Sequence, residues 1–233
     1  MDSVARVDIV RLEGGKPRRT ADSVAIEQEL VVTSHGRALL SCTSSPENLL
    51  ELLYGHLLSE GIARTPKEVS AQKKPDGTYD LDLLATETPQ RQIEPVKSTL
   101  SIPARVIIDT AQEFTRRAKL FSKTGGTHAA SICHGAELIN HFEDVSRTSA
   151  LDKALGDALI RSIDTSDKWI LLSSRVSRVI VQKIARCGVP LIAALSAPTL
   201  QAVEEGRRLG VCLCAFVRSE RANIYANEWR VTF

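Results

Sequence analysis

Residues 168–217 read KWILLSSRVSRVIVQKIARCGVPLIAALSAPTLQAVEEGRRLGVCLCAFV, and this stretch decides the fold. Three short apolar runs in it have the length and composition of buried strands. These runs span residues 168–172, 191–195 and 211–217. Two segments with the apolar spacing of helices, 176–187 and 200–209, lie between the runs, and Gly210 caps the second. Strand–helix–strand alternation at this spacing predicts right-handed crossovers, a parallel sheet and the α/β fold class.

The N-terminal part, residues 4–85, is rich in strand patterns. Residues 7–12 and 24–32 alternate apolar and polar side chains, as half-buried strands do. Residues 37–42 follow the second of these strands after the turn Ser34-His35-Gly36, which predicts a hairpin. The turn formers Pro75-Asp76-Gly77 predict another hairpin between two further strands.

One helix is expected among these strands. Ser45 is a good cap and Pro46 suits the first helical position, so the helix should start there. It should run to Glu60 with leucines on one face, and Gly61 should end it.

The middle of the chain suggests a domain boundary. Residues 86–101 are polar, contain prolines and show no period, which is typical of a linker. Pro103 then predicts a helix that extends to about Phe121, followed by a hairpin over 128–142 and a helix over 148–163. We expect a small β-rich N-terminal domain, a linker and an α/β cofactor-binding domain. They span residues 1–90, 91–102 and 103–233.

The composition of the 233 residues excludes several classes of protein. With 43% apolar and 25% charged residues, the chain is typical of a globular protein. A formal net charge of +2 and few aromatic residues argue against a nucleic-acid partner. The sequence has neither a secretory signal layout nor an apolar run of about 18 residues, so no membrane span is expected. Five scattered cysteines, an odd number, predict reduced thiols and a cytoplasmic location.

Three polar segments follow the three predicted parallel strands. They are Ser173-Ser174-Arg175, Ser196-Ala197-Pro198-Thr199 and Arg218-Ser219-Glu220-Arg221. Ligands of parallel α/β sheets bind beyond the carboxyl ends of the strands, where arginine and free helix N–H groups recognise phosphate. These segments therefore predict an anionic or nucleotide-like ligand. The alternative is that Ser174, Ser196 and Thr199 are only helix caps.

The loop Thr124-Gly125-Gly126-Thr127-His128 is a second candidate for ligand contact. Its two glycines allow a close approach of the backbone to a ligand. His128 suits a general acid–base or a phosphate contact, and a structural histidine fits equally well.

Two further clusters are explained by a purely structural role. Metal ligation is conceivable for Cys133, His134, His141, Glu143 and Asp144, but their spacing fits no zinc motif, so a hairpin with alternating exposure is preferred and no metal is expected. Asp152 and Lys153 on the helix over 148–163 have the pattern of a solvated pair. Since adjacent positions on a helix do not face each other, one of them is alternatively directed at the site.

Several motifs succeed one another over most of the chain. They are Glu60-Gly61-Ile62, Thr124 to His128, Glu143 to Lys153, Ser173 to Ser177, Ser196 to Thr199, and an ending with Phe216, Arg218, Asn223 and Tyr225. This order resembles the formate dehydrogenase accessory protein family of the FdhD/NarQ type. The family pattern has a Gly-His-rich loop, Glu-Asp-Val-Gly-Arg-His-Asn-Ala-x-Asp-Lys, Ser-Gly-Arg-Val-Ser and Ser-Ala-Pro-Thr.

The resemblance implies a fold and a function. The fold would be a three-layer α/β/α domain similar to cytidine deaminases with a smaller N-terminal domain, in a homodimer. Members of the family resemble sulfurtransferases, which accept sulfur from a cysteine desulfurase as a persulfide. They pass it to the molybdenum cofactor, Mo-bis-molybdopterin guanine dinucleotide, before its insertion into formate dehydrogenase. A GDP-like nucleotide part of the cofactor would bind near residues 216–221.

Taken together, the loops and the resemblance give one set of candidate cofactor-binding residues. They are Phe216, Val217, Arg218, Ser219, Glu220, Arg221, Gly125, Gly126, Arg175, Ser196 and Thr199. His128 is a separate candidate, for the catalytic acid–base.

The chain departs from the family pattern in its cysteines. The family carries sulfur on a Cys-x-x-Cys between its two domains, and this chain has no Cys-x-x-Cys. Persulfide chemistry needs an accessible thiolate. Cys133, near the Gly-Gly loop, is a weak substitute nucleophile, and a small buried hydrophobe is its preferred interpretation. Two hypotheses follow: a sulfurtransferase with a displaced cysteine, or a non-catalytic protein that binds the nucleotide-bearing cofactor. An unrelated small-molecule enzyme on the same fold is the third.

Overall fold

The computed structural model describes residues 2–63, 65–75, 77–83 and 93–233 of the chain. Its N-terminal part is built mainly of strands. These elements are β1 (Val4–Glu13), β2 (Lys16–Ala25), β3 (Gln28–Ser34), β4 (Arg37–Ser44), helix α1 (Leu49–Ser59), β5 (Val69–Lys73) and β6 (Tyr79–Leu83). Strands β1 and β2 form a two-stranded ribbon, and the order β4-β3-β6-β5 forms a second sheet.

Both predicted hairpins of this part are confirmed. Strands β3 and β4 pair antiparallel around His35 and Gly36, whose φ angles of 47° and 78° are left-handed, as a two-residue hairpin turn requires. Strands β5 and β6 also pair antiparallel, and Gly77 N–H donates to the Lys74 carbonyl at 3.0 Å in their turn. The predicted turn residue Asp76 lies outside the described residues.

The ribbon corrects the prediction of one strand over 24–32. This segment contains the end of β2 and most of β3, with a break at Ile26 and Glu27. The pairing partner of β1 was not predicted, because residues 16–23 are mostly charged or polar and lie on no core that would give them a period. Gly14 and Gly15, with φ angles of 58° and 78°, form the turn between the two strands.

Helix α1 begins later than its sequence predicts. It starts at Leu49, after Asn48 in a left-handed conformation, so the prediction of a start at Ser45 and Pro46 is wrong. The reason is tertiary: Ser45 N–H donates to Asp144 Oδ2 at 3.1 Å, and Ser45 Oγ accepts from Val145 N–H at 3.2 Å. The Ser45 hydroxyl, which would have capped the helix, is thus bound to a distant part of the chain.

The C-terminal part alternates strands and helices. Its elements are β7 (Ile102–Pro103), α2 (Ala104–Arg117), α3 (Lys119–Thr124), β8 (His128–His134), β9 (Glu137–Leu138), β10 (Phe142–Asp144), α4 (Arg147–Ile160), β11 (Trp169–Leu172), α5 (Arg178–Arg186), β12 (Leu191–Ala194), α6 (Leu200–Leu209), β13 (Cys212–Arg218), β14 (Arg221–Ala226) and β15 (Val231–Thr232).

The main sheet confirms the predicted α/β class. Its order is β10-β8-β11-β12-β13-β14, with β9 beside β8, and β11, β12 and β13 are parallel. Helices α4, α5 and α6 cover one face around Leu151, Ile180 and Ala202, while α2 covers the other with Ile107 and Phe114. These are the three expected layers.

Three details of this part differ from expectation. The helix from Pro103 breaks at Ala118, because Glu143 accepts hydrogen bonds from the N–H groups of Leu120 (2.8 Å) and Phe121 (2.7 Å) and starts α3 there. Strand β8 is buried on both faces instead of alternating, since β10 and β11 flank it and helices cover it. Strand β14 has no counterpart among the predicted elements.

Asp152 and Lys153 on α4 are both buried, so their interpretation as a solvated pair is wrong. Asp152 accepts from Ser59 Oγ at 2.9 Å and lies 3.0 Å from Lys183 Nζ. Lys153 Nζ lies 2.6 Å from Asp144 Oδ2 on the other side of the helix. Each of the two charges is therefore compensated by a different neighbouring element.

Residues 84–92, which contain the predicted boundary at 90 and part of the linker, lie outside the described residues. The division into two domains therefore stays a prediction. Among the described residues, no helix is long and apolar enough to cross a membrane.

Candidate functional site

The three polar loops predicted to converge do meet at the carboxyl edge of the sheet. Leu195 N–H donates to the Leu172 carbonyl at 2.9 Å, which joins the loops after β12 and β11. Phe216 N–H donates to the Ser196 carbonyl at 3.2 Å, which joins β13 to the loop after β12. The segments that follow β11, β12 and β13 therefore form one continuous polar edge of the sheet.

The Gly-Gly loop lies at the same edge. Strand β8 runs antiparallel to β11, so the start of β8 at His128 adjoins the end of β11. Ala129 N–H donates to Ser173 Oγ at 2.8 Å, and Ser173 N–H donates to the Ala129 carbonyl at 3.0 Å. The loop over 124–128 and the polar segment after β11 therefore form one site.

Two adjoining cavities open along this edge. The smaller has a volume of about 440 Å³ and the larger about 970 Å³, both within the usual range for ligand pockets. They share Thr115 and Leu195, so they form one elongated cleft. The smaller is lined by Phe114, Thr115, Ala118, Phe121, Gly125, Gly126, Thr127, His128, Ala129, Ser173 and Leu195. The larger is lined by Ile108, Ala111, Gln112, Thr115, Arg116, Leu195, Val217, Arg218, Ser219 and Glu220.

The cleft unites part of the predicted site. Gly125, Gly126 and His128 line the smaller cavity, and the predicted residues 217–220 line the larger. The remaining candidates line neither cavity. They are Phe216, Arg221, Arg175, Ser196 and Thr199.

The interpretation as helix caps holds for one of the three hydroxyl residues. Thr199 Oγ1 accepts from Ala202 N–H at 3.2 Å and so caps α6. Ser174 Oγ instead donates to the Arg175 carbonyl at 3.3 Å, and α5 begins at Ser177 without a side-chain cap. The first turn of α5 thus keeps N–H groups that face the same edge.

The sequence predicts helix α2 but gives no indication that this helix forms the opposite wall of the cleft. Helix α2 contributes Phe114 and Thr115 to the smaller cavity and Gln112 to the larger. Gln112 Nε2 also donates to the Ser219 carbonyl at 3.4 Å and so holds the loop after β13. The available signal was the position of the predicted helix, residues 103–121, directly before the Gly-Gly loop.

The backbone at the end of β13 is strained. The φ angles of Phe216 and Ser219 are 52° and 47°, and the pairing of β13 with β14 is irregular between Ala215 and Arg218. A left-handed conformation is unfavourable for a bulky residue such as Phe216. Strain of this kind is concentrated at ligand-binding sites.

Two arginines lie near His128, which lines the smaller cavity. The pKa of His128 lies below its ordinary value of 6.5, because the ring is partly buried and the guanidinium groups of Arg147 and Arg175 oppose its protonation. Neither arginine forms an ion pair within the described part of the chain, and the same holds for Arg218 at the larger cavity. The cleft is therefore suited to an anion, with His128 as a neutral ring.

A model of the FdhD/NarQ family matches residues 77–232, more than half of the chain. The chain belongs to the FdhD/NarQ family. This confirms the resemblance seen in its motifs. The sulfur carrier protein FdhD of Listeria monocytogenes is 29% identical over 100% of both chains. That of Corynebacterium efficiens is 31% identical over 89% of this chain and 90% of its own. The crystal structure of a "putative formate dehydrogenase accessory protein" from Desulfotalea psychrophila shares the fold, with a TM-score of 0.86, 23% identity, and 99% and 100% of the two chains covered.

The thiols of this FdhD/NarQ protein are mostly inaccessible. Cys133 is 0% exposed, and burial raises the pKa of its thiol, which argues against the proposed substitute nucleophile and for a small buried hydrophobe. Cys187 is buried with a pKa raised to about 12 by burial. Cys212 and Cys214 are buried with their Sγ atoms 3.9 Å apart. Cys42 alone among the five is half-buried.

The groups weighed as metal ligands serve other contacts. Glu143 holds the start of α3 and accepts from Thr127 Oγ1 at 3.2 Å. His141 Nδ1 lies 2.9 Å from Ser131 Oγ, and His134 lies 3.6 Å from Asp167 at the surface. Across the described ranges, no three His, Cys, Asp or Glu side chains are grouped so that they could hold a metal ion.

Proposed function

We propose that this chain serves the maturation of formate dehydrogenase by binding the molybdenum cofactor, Mo-bis-molybdopterin guanine dinucleotide, in the cleft. The observation that carries the proposal is the pair of adjoining cavities, of about 970 and 440 Å³. Arg218 lines the larger cavity, and Arg147 and Arg175 lie near His128 of the smaller one. Relatives named sulfur carrier proteins, and a structural neighbour described as a formate dehydrogenase accessory protein, support the process. The chain would bind the cofactor temporarily and then transfer it to formate dehydrogenase.

The larger cavity suits the GDP-like part of the cofactor. Arg218 would donate to a phosphate as a forked, permanently charged group. The Glu220 carboxylate offers an acceptor for the N–H edge that guanine presents. Backbone N–H groups of the strained turn around Ser219 would add donors for the phosphates.

The smaller cavity suits a flat heterocycle. Phe114 and Phe121 give it apolar walls, and the glycines of the loop leave the backbone open to close contact. Thr127 and His128 supply hydrogen-bonding groups at its polar end. As a neutral ring next to Arg175, His128 would donate one hydrogen bond and accept another without adding to the charge.

Sulfur carriage is the second candidate function. It is the function named for the relatives, and it would require a cysteine desulfurase as a partner that passes sulfur to a thiol of this chain. Cys42 favours it, because it is the half-buried thiol. Burial raises the pKa of Cys42, however, although a hydrogen bond with Ser149 lowers it in part. The four other thiols are buried, so sulfur carriage by this chain would fall to Cys42.

Formate dehydrogenase, as the recipient of the cofactor, is the proposed protein partner, and a homodimer in the cytoplasm is the proposed assembly. A maturation assay tests the proposal in cells that lack their own accessory protein. We expect the wild-type chain to restore formate oxidation and Arg218→Ala to lose most of it, while the control Arg207→Ala, an exposed change on α6, keeps it. No restoration by the wild-type chain, or equal activity of both variants, would overturn the proposal.

Cofactor binding without sulfur carriage and sulfur carriage on a thiol predict different results in one experiment. The protein is incubated with a cysteine desulfurase and cysteine, and intact-mass spectrometry records adducts of 32 Da, the mass of one sulfur atom. Binding without carriage predicts no adduct on any of the five thiols. An adduct that disappears in Cys42→Ser would establish sulfur carriage through Cys42 instead.

A further inference from the structure

The ribbon of β1 and β2 has no third strand within the described part of the chain. Its strands pair without interruption from Val4 opposite Ala25 to Glu13 opposite Lys16. At about 3.4 Å per residue, ten residues extend over about 30 Å. Two-stranded ribbons are at best marginally stable in water, so one of this length would be stabilised by a further strand.

Apolar side chains of β1 are open to solvent. Val7, Val10 and Leu12 are 39%, 55% and 71% exposed. Val24 on β2 is 39% exposed as well. An exposed strand of this composition offers both backbone groups and apolar side chains to a partner.

The two edges of the ribbon are not equivalent. Strand β2 carries Lys16, Pro17, Arg18 and Arg19 in succession, and lysine and proline on an edge strand oppose further pairing. Strand β1 contains no proline, glycine or lysine. The open edge is therefore that of β1.

The sequence of β1 is complementary to itself in one register. A two-fold axis perpendicular to a sheet keeps every side chain on its own face, so opposite residues in a symmetric antiparallel pair are both odd-numbered or both even-numbered. With Val7 opposite Val7 of the second copy, Arg6 lies opposite Asp8 twice. Ala5 then lies opposite Ile9, and Val4 opposite Val10.

Neighbouring symmetric registers lack this complementarity. A register centred on Arg6 or on Asp8 places like charges opposite each other, which is destabilising. Centring on Ile9 places Arg11 opposite Val7, and centring on Val10 places Arg11 opposite Ile9. Centring on Leu12 places Arg11 opposite Glu13 but aligns only residues 11–13 of β1. The register centred on Val7 is therefore the longest one that matches opposite charges with each other and apolar groups with apolar groups.

The charges used in this register are the ones that β1 leaves unpaired. Arg11 lies 3.2 Å from Asp22, and Glu13 lies 3.7 Å from Arg18, so both have partners within the ribbon. Arg6 and Asp8 are exposed and form no ion pair with any described residue. Arg6 and Asp8 are thus available to pair with Asp8 and Arg6 of a second copy.

From this complementarity we propose that β1 pairs antiparallel with β1 of a second copy, Val7 opposite Val7, in a continuous four-stranded sheet. The inference rests on the homodimer of the proposed function and names its surface. The joined strands would bring Ala5, Val7 and Ile9 of both copies into one apolar stripe and would cover both open edges.

A charge exchange tests the surface in the full chain. Sedimentation equilibrium gives the dissociation constant of the dimer, and circular dichroism confirms folding. Arg6→Asp puts carboxylates opposite each other twice and should weaken the dimer at least about tenfold, since juxtaposed like charges are strongly unfavourable. The double variant Arg6→Asp, Asp8→Arg restores opposite charges and should dimerise like the wild type. The control Arg19→Asp lies on the edge of β2, which does not take part in the proposed pairing, and should have no effect.

A cross-link gives the register directly. Val7→Cys should form a disulfide-linked dimer on mild oxidation, because the two residues are direct neighbours across the axis. Val10→Cys should not, since its two copies lie six residues, about 20 Å, apart along the strands. Reversed yields would overturn the register.

The outcomes separate this inference from the proposed homodimer. A dimer that is as strong in Arg6→Asp as in the wild type overturns the β1 surface and leaves the homodimer standing. A wild-type protein that stays monomeric at high concentration overturns both. Neither result affects the test of the cofactor cleft.

Discussion

Gly55 and Gly156 face each other where α1 crosses α4, and neither position has room for a side chain. A Cβ atom on Gly55 would stand 1.7 Å from the Asp152 carbonyl oxygen, and one on Gly156 would stand 1.8 Å from the Glu51 carbonyl oxygen. This close crossing fastens the N-terminal helix to the helix behind the site. It also brings Ser59 within hydrogen-bonding distance of Asp152.

Gly156→Ala should therefore destabilise the protein by about 3 kcal/mol, since the two helix backbones would have to separate. Urea denaturation at pH 7 measures this change. Gly126→Ala is the matched control, because its Cβ would meet Ala25 at an ordinary 3.4 Å. A Gly156→Ala protein as stable as the control would mean that the helices do not cross this closely.

Glu205 should make stability depend on pH in the acid range. Hydrogen bonds from Arg208, and then from Gln182, lower the pKa of Glu205 from 4.5 to about 2. Because the folded-state pKa is depressed, the stabilisation is complete above about pH 4.5 and is lost as the pH falls toward 2. Allowing for solvent screening of the half-exposed Arg208, we expect about 1–2 kcal/mol.

Glu205→Gln is the variant that checks this dependence. Its free energy of unfolding should lie below that of the wild type at pH 7 and converge with it near pH 2. A constant difference over that range would show that ionisation of Glu205 has no part in the effect.

The histidine of the cleft should titrate below its ordinary pKa of 6.5, for the reasons of burial and nearby charge. Carbon-13 NMR of labelled histidine measures the value. Arg175→Ala and Arg147→Ala should each raise it, while Arg207→Ala should leave it unchanged. A pKa of His128 that does not respond to Arg175 would remove the argument for a positive cleft.

The five cysteines should differ in how fast their thiols react in the native protein. In the native protein a thiol reagent such as dithionitrobenzoate should modify Cys42 and leave Cys133, Cys187, Cys212 and Cys214 unmodified, because these four are buried. All five should react in denaturant. Rapid native modification of Cys133 would contradict its placement in the core.

The parallel core could be predicted because its evidence is local. The runs around Ile170, Ile192 and Leu213 are apolar at each position, since helices cover both faces of these strands. Turn chemistry was equally local at His35 and Gly36. Polar groups that follow buried strands then predicted correctly that these loops meet at one edge of the sheet.

What the sequence could not show depended on contacts between distant residues. Ser45 carries an ordinary cap signal, but Asp144, 99 positions away, binds its N–H. Asp152 and Lys153 have the pattern of a surface pair, and only the packing of α1 and α5 reveals that they are buried. The wall of the cleft formed by α2 carries no recognisable motif, because its alternation of apolar and polar side chains is that of any amphipathic helix.

Titration of the full-length protein with GDP tests the central claim, ligand binding in the cleft, most directly. Isothermal calorimetry should show binding to the wild type and a loss of about 1.5–3 kcal/mol in Arg218→Ala, the usual contribution of a hydrogen bond to a charged group. The control Arg207→Ala should bind GDP like the wild type. Absence of binding to the wild type, or equal affinity of Arg218→Ala, would contradict the account.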